Sequence, residues 1–426
     1  MKGILFIFVL TCVASAAPPT SSPAGVTAAR LDGAALSGEL SGWTGSEVVI
    51  QTANGEERIA TDVLVSLRWP NAQGSGAPDN ASLGLVELVD GTILPATDFG
   101  VTASQAAVTL GAHLPTDEKE LTLPVRQIAA VKLRPLEPEA AAQWDEIRAQ
   151  NLAGDVLVVL KRDGKSLDYV EGVLGDVTPE KIEFRFDAEP LRVDRAKVAG
   201  FFYYRNAPQA ETKPRCVLHG RTGLRATAAA AYAADGMIHI TTTSGVSLKW
   251  PLGDIHLADF SGGKIAYLSD LRPASEKWTP LVGLPADSEL AASLGKPRRD
   301  QSAFGGPLSL GFPEGDSASS LAQTRSFEKG LAARSRTELV YRLPADFKRF
   351  VAVAGIEPAT SSTGSVRLAI HADDQPVFES DIEGNQPPKK IDLNVAGVKR
   401  LTIVVDFGRN LDTGDWLNLC DARLVK

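Results

Sequence analysis

Between Arg30 and Asp259 apolar and polar residues alternate in short runs, each run set off by a tight-turn signal. Ile59, Val63, Val65 and Leu67 form the first run, and Leu121, Leu123, Val125, Ile128, Val131 and Leu133 the second. Leu191, Val193 and Val198 form a third, and Val246, Leu248, Trp250, Ile255 and Leu257 a fourth. A period of two puts apolar side chains on one face of a strand, so this half of the chain is predicted to be half-buried β-structure. Each run closes a unit that opens on a turn: Leu31-Asp32-Gly33, Val89-Asp90-Gly91, Arg162-Asp163-Gly164 and the weaker Leu218-His219-Gly220. Gly accepts positive φ without a steric cost and Asp bonds its own backbone, which is what a tight reversal needs. Each unit has room for about four or five strands of ordinary length. The expected architecture is therefore a series of small SH3-like or Sm-like β units over 30–70, 83–137, 155–206 and 215–260. The alternation breaks over Pro138–Leu152, where Ala140, Trp144, Ile147 and Leu152 recur at helical spacing. A helical linker is expected over 138–154, with Pro early, where a missing N–H is harmless, and Gly154 after its end.

The last third alternates more strongly. Strands are predicted over Glu338–Leu343, Arg349–Gly355, Ser365–Ala372, Pro376–Ser380, Lys389–Val395 and Arg400–Phe407. Val366, Leu368 and Ile370 mark one buried face, and Ile391, Leu393 and Val395 another, as the two sheets of a sandwich require. The whole chain is thus expected to be all-β.

The amino terminus differs in kind. Lys2, the apolar run Gly3–Val13 and the small residues Ala14-Ser15-Ala16 read as a signal peptide over 1–16, followed by a disordered linker over 17–29. The run is too short to span a bilayer, which needs about 20 apolar residues. Cys12 offers a rival reading as a lipid attachment site, poorly served by Thr11. The expected location is outside the cytoplasm, secreted, periplasmic or at the cell surface, with no transmembrane segment. A net charge of -8 argues against a nucleic-acid partner, whose phosphates call for a basic surface. Beyond the signal two cysteines remain, Cys216 and Cys420. Two readings stay open for them: a disulfide closing a very long loop, or two separate buried thiols.

Candidate chemistry is sparse. His113, His219, His239, His256 and His371 are scattered and none stands in a metal-binding spacing. Gly315-Asp316-Ser317-Ala318-Ser319 lacks the last Gly of a nucleophile elbow, and Asn80-Ala81-Ser82 is a glycosylation match expected by chance. A glycosidase needs two carboxylates across a sugar cleft, and with the repeats and the last third assigned no stretch remains for a barrel of about 250 residues. The chain is expected not to be an enzyme.

Several ordered blocks give the last third an identity. "YLSDLRPASEKWTP" from Tyr267, "RRDQSAFGGPLSLG" from Arg298, "GLAARSRTELVYRLPADFKRFVAVAGIE" over Gly330–Glu357, "GSVRLAIHADDQPVFESDI" and "DWLNLCDARLV" follow one another. Together, over 263–426, they resemble the NPCBM family, carbohydrate-binding modules found beside family-98 glycoside hydrolases and in secreted bacterial proteins, especially of planctomycetes. The resemblance implies a galactose-binding-like jelly-roll β-sandwich that engages a glycan or extracellular polysaccharide without cofactor. Two positions depart from the family's pattern. Arg334 stands where the family carries His, and Leu419 where it carries Trp, while Asp415 is kept and Trp416 lies three residues before Leu419. Sugar recognition combines an aromatic platform with a few placed polar groups. The candidate ligand-binding residues are accordingly Arg334, Glu338, Asp415, Trp416, Asn418 and Asp421. Asp412 and Asp415 could also begin a structural Ca²⁺ site, which takes 6–8 oxygens, with turn capping as the bland alternative. Two other functions stay open: a structural or protein-interaction scaffold whose module has lost sugar binding, and, weakest, a glycoside hydrolase.

Overall fold

The computed structural model describes residues 25–69, 84–111, 119–150, 152–187, 189–205, 213–281, 295–313 and 323–426. The expected signal peptide, Cys12, the expected linker as far as 24, His113, Asn80 to Ser82 and Gly315 to Ser319 lie outside them. The linker's last residues are not disordered as expected: they form the strand Gly25–Arg30, whose Val26 and Ala28 are buried, so the first β unit begins before Arg30. Apart from one α-helix and short 3₁₀ turns the described chain is strand and connection. It divides into two compact units, the first reaching Ala258 and the second built on Asp259–Lys426.

The first unit holds four groups of five antiparallel strands. In the second group these are Gly84–Leu88, Ile93–Thr102, Gln105–Leu110, Glu120–Pro124 and Ile128–Lys132. Each strand pairs with the next through the fourth, and the fifth returns to the first. The third group, from Asp155–Leu160 to Val198–Phe202, repeats the pattern. A single 3₁₀ turn introduces the fifth strand in the last three groups, at Val125–Gln127, Arg195–Lys197 and Leu252–Asp254. These are small SH3-like units, and the sequence alternation is their inside–outside alternation.

The opening turns share one geometry. Gly33, Gly91 and Gly164 all have positive φ, and Asp32, Asp90 and Asp163 each accept from the amide two residues on, at 3.0, 2.9 and 2.9 Å. The fourth opening differs from expectation. Its left-handed residue is Gly223 at φ 97°, not Gly220, which lies in the strand Cys216–Gly220. The turn is therefore Arg221-Thr222-Gly223, with Thr222 where the other three carry Asp. The missing carboxylate comes from Asp254, which accepts from the Thr222 amide at 3.2 Å and its hydroxyl at 2.8 Å.

The helix runs over Pro138–Arg148, ending short of Leu152, with Ala140, Trp144 and Ile147 buried. They pack on Ala130, Val156, Val158 and Ala199. That surface is continuous because the fifth strands of the second and third groups pair directly, Val131 opposite Phe201 and Lys132 opposite Gly200. A Cβ at Gly200 would lie 2.1 Å from the Val131 oxygen and 2.8 Å from the Trp144 ring. Only glycine lets the indole seat there.

The second unit is a β-sandwich. One sheet has the order Ser275–Trp278, Thr337–Arg342, Arg400–Phe407, Ser365–Ala372, Gln375–Glu383. The other has Arg298–Arg299, Gly330–Arg334, Trp416–Val425, Arg349–Ile356, Lys389–Asn394, with Ile265–Tyr267 also on Trp416–Val425. Every pairing is antiparallel. Between the sheets lie Tyr341, Phe350, Leu368, Ile370, Ile403 and their neighbours. A hairpin, Leu308–Phe312 with Gln323–Phe327, covers the outer face of the second sheet, where Leu308 and Leu310 bury Ala332 and Cys420.

Trp416–Val425 serves both faces. Leu417 and Leu419 point into the sandwich core, while Cys420 faces the hairpin. At Asp421 a bulge shifts the register between Val351 and Val353, after which Ala422 and Leu424 again meet the core. Asp421 itself takes φ 53°, the left-handed geometry such an extra residue needs.

Candidate functional site

Among the described residues one end of the outer face lies beyond the hairpin and is left open, and there four side chains meet. Arg334 and Trp416 are direct cross-strand partners. The Arg334 guanidinium carbon lies 5.8 Å from the indole centroid, in cation–π range. On another side the Phe304 ring stands edge-on to the indole at 6.2 Å and 64°. Phe304 is 61% exposed, whereas Trp416 is half-buried. Arg334 Nη2 donates to Asp412 Oδ2 at 3.1 Å, and both side chains keep partial exposure, 22% and 30%. The result is an apolar wall of two rings beside a neutral charge pair that offers donors and an acceptor.

The loop carrying Asp412 is held from below. Asn410 Nδ2 donates to the carbonyls of Thr363 and Thr413 at 2.6 and 3.1 Å. Asp415, fully buried, accepts from the Ser365 amide at 3.1 Å, and its own carbonyl accepts from the Ser335 amide at 3.1 Å. Burial pushes the Asp415 carboxyl above its ordinary value, against the opposing pull of the Ser365 N–H.

The loop carrying Phe304 closes on itself, Ser302 N to Gly306 O at 2.8 Å, with Gly305 at φ 90°. Beneath it Glu357, 5% exposed, accepts on Oε2 from Ser302 Oγ at 2.9 Å and Asn418 Nδ2 at 2.7 Å. Asn418 also donates to Ser309 O at 3.0 Å.

The six expected ligand residues therefore separate. Arg334 and Trp416 stand together on the open face. Asp415 and Asn418 are fully buried beneath it and act on backbone and side chains, not on solvent. Glu338 is exposed on the other sheet, opposite Lys277 and Val404, and joins no part of this face. Asp421 occupies the bulge and pairs with Arg423. The carboxylates that could begin a calcium site have other work: Asp412 holds Arg334, and Asp415 holds Ser365. Among the described residues no group of three or more His, Cys, Asp or Glu converges as a metal site. Of the two readings left open for the cysteines the structure has the second: Cys216 and Cys420 are thiols, each buried in its own unit. Burial, with Glu357 nearby, pushes the Cys420 thiol up to about 12.

Leu419, the departure from the family's Trp, is 3% exposed and faces the sandwich core. Its position is not on the open face, so the change removes no ring from that face. Phe304, Ser302 and Glu357 were not among the sequence candidates. A phenylalanine in a Gly-Gly turn, Ala303-Phe304-Gly305-Gly306, was the signal for the first: a large apolar side chain where no core-facing period accounts for it.

The family model NPCBM/NEW2 domain matches residues 265–425. No curated protein matches the chain. Among solved structures it is similar to CBM51 from Clostridium perfringens GH95 in complex with methyl-galactose. The identity there is 23% over 38% of this chain and 99% of that one, with a TM-score of 0.32. It is also similar to CBM51-2 in complex with GlcNAc and INT domains from Clostridium perfringens ZmpB. That match has 18% identity over 50% of this chain and 40% of that one, at a TM-score of 0.32. A third is the pair of tandem CBM51 modules of a family 98 glycoside hydrolase from Streptococcus pneumoniae. There the identity is 12% over 66% of this chain and 90% of that one, at a TM-score of 0.30.

Proposed function

Because residues 265–425 form an NPCBM/NEW2 domain, we propose that the chain is an exported, non-catalytic glycan-binding protein whose sugar lies on the Trp416, Phe304, Arg334 and Asp412 face. The carrying observation is the half-buried indole flanked by an exposed ring and a guanidinium–carboxylate pair. A pyranose presents an apolar C–H face and a rim of hydroxyls. The rings suit the first, and the donors of Arg334 with the acceptor of Asp412 suit the second. The pair is neutral overall, which favours a neutral sugar.

Two features support a binding role over hydrolysis. Glycosidic cleavage needs one carboxylic acid free to give a proton and a second carboxylate across the cleft. Here Asp412 is held by Arg334, and Asp415 is buried on the Ser365 amide. Export is supported by the amino-terminal charge and hydropathy pattern. No described helix is long and apolar enough to cross a membrane. The four β units of the first half serve in this reading as a scaffold that presents the module.

The test is a glycan array on the full chain beside its Arg334→Ala variant. Retention of one class of neutral glycan by the full chain, lost in the variant, is expected. Absence of any glycan binding by the full chain, or equal binding by the variant, would replace this reading with that of a protein-interaction module.

A further inference from the structure

Glu357 is a buried carboxylate that the face described above does not touch, yet it is bonded to both halves of that face. Its main-chain N–H donates to the carbonyl of Trp416 at 2.9 Å, so it lies beside the indole-bearing residue in the sheet. Its side-chain Oε2 accepts from Ser302 Oγ at 2.9 Å, and Ser302 Oγ in turn accepts from the Phe304 amide at 3.2 Å. Asn418 Nδ2 donates to the same Oε2 at 2.7 Å and fixes the carboxylate's rotamer from the floor of the sheet. Ser302 and Asn418 are 5% and 0% exposed, so water does not compete for these bonds. Phe304 itself is mostly in solvent and buries too little to hold its own position.

We propose that Glu357 is the positioning residue of the open face: its carboxylate, through Ser302, holds the Ser302–Gly306 loop so that the Phe304 ring stands edge-on over Trp416. The consequence for glycan affinity rests on the reading above; the ring geometry does not.

The experiment uses the full chain labelled with 5-fluorotryptophan and observed by fluorine NMR. Six tryptophan signals are expected, and Trp416→Phe identifies the one that matters. Phe304→Leu removes the neighbouring ring and marks where the Trp416 signal falls without it. Ser302→Ala cuts the link and should move the Trp416 signal to that same place while the other five hold. Glu357→Ala should do likewise. Glu357→Gln, whose amide oxygen can accept both bonds, should leave the signal where the wild type has it. An unmoved Trp416 signal in Ser302→Ala overturns the proposal, as does a signal indifferent to Phe304→Leu. So does a Glu357→Gln signal displaced as far as that of Glu357→Ala. If Glu357→Ala collapses all six signals by unfolding the chain, Ser302→Ala decides. Glycan affinity of Ser302→Ala should fall about ten-fold, the loss of one correctly placed wall. Displaced rings in a chain that binds no glycan would leave the positioning role standing and remove the glycan reading alone.

Discussion

Asp415 separates two jobs an acid beneath this face can do, and its removal in two ways tells them apart. The side chain is fully buried and accepts from the amide of Ser365, itself only 8% exposed. Asp415→Ala deletes that acceptor and leaves a buried N–H without a partner, which costs roughly 1–3 kcal/mol. Asp415→Asn keeps an acceptor oxygen in place and drops a buried charge, so its cost should stay within about 1 kcal/mol. Native-state hydrogen exchange on peptides covering Ser365 reads this locally, which suits a chain of two compact units, where one two-state free energy is not well defined. In Asp415→Ala the Ser365 amide should exchange about 5- to 150-fold faster, and in Asp415→Asn close to the wild-type rate. The sign of the pH effect follows from the raised carboxyl. The folded state holds this proton at pH values where the unfolded chain, near the ordinary 3.8, has released it. The contribution to stability is therefore greatest in acid and is lost as pH rises from 3.8 through the folded value. Asp415→Asn should abolish that slope. If Asn costs as much as Ala, the Asp415 oxygen is not what holds the Ser365 amide, and if the slope survives the substitution, Asp415 is not its source.

In a Cys12→Ser chain kept native at pH 8, Cys216 and Cys420 should both resist a thiol-reactive dye, Cys420 because burial holds it protonated. Both should react after denaturation without added reductant, and rapid native labelling or a dye count that needs reductant would contradict the buried-thiol assignment. Gly200→Ala forces a methyl into the Val131 carbonyl and the Trp144 ring, and should cost about 1–3 kcal/mol by overpacking; an unchanged thermal midpoint would show that the helix does not seat there.

Much of the fold is legible in alternation because strands that bury one face must alternate. Val366, Leu368 and Ile370 lie in Ser365–Ala372 as the period requires, and Arg400–Phe407 follows the same rule. Where alternation fails the reason is local. Trp416–Val425 reads poorly because the bulge at Asp421 reverses its parity midway, and both its faces are covered. The fourth turn hides from the sequence because its Asp is replaced by Thr222, with the carboxylate delivered from Asp254 far along the chain, and Gly220 offers itself instead. The site divides in the same way. Arg334 and Trp416 sit in ordered sequence blocks and could be nominated; their adjacency is a matter of strand register. Glu357 had no mark to distinguish it from Glu338, since burial under the 302–306 loop is a tertiary property. Phe304 carried only its oddness in a glycine turn.

In the proposed function the open face around Trp416 meets the sugar. The most direct measurement is the affinity of the full chain for its array-selected glycan, by titration calorimetry, beside Trp416→Ala with both melting curves recorded. Loss of a stacking ring should weaken binding by about ten-fold or more while the variant stays folded at the assay temperature. Undiminished affinity in a folded Trp416→Ala chain would place the glycan elsewhere and contradict the account.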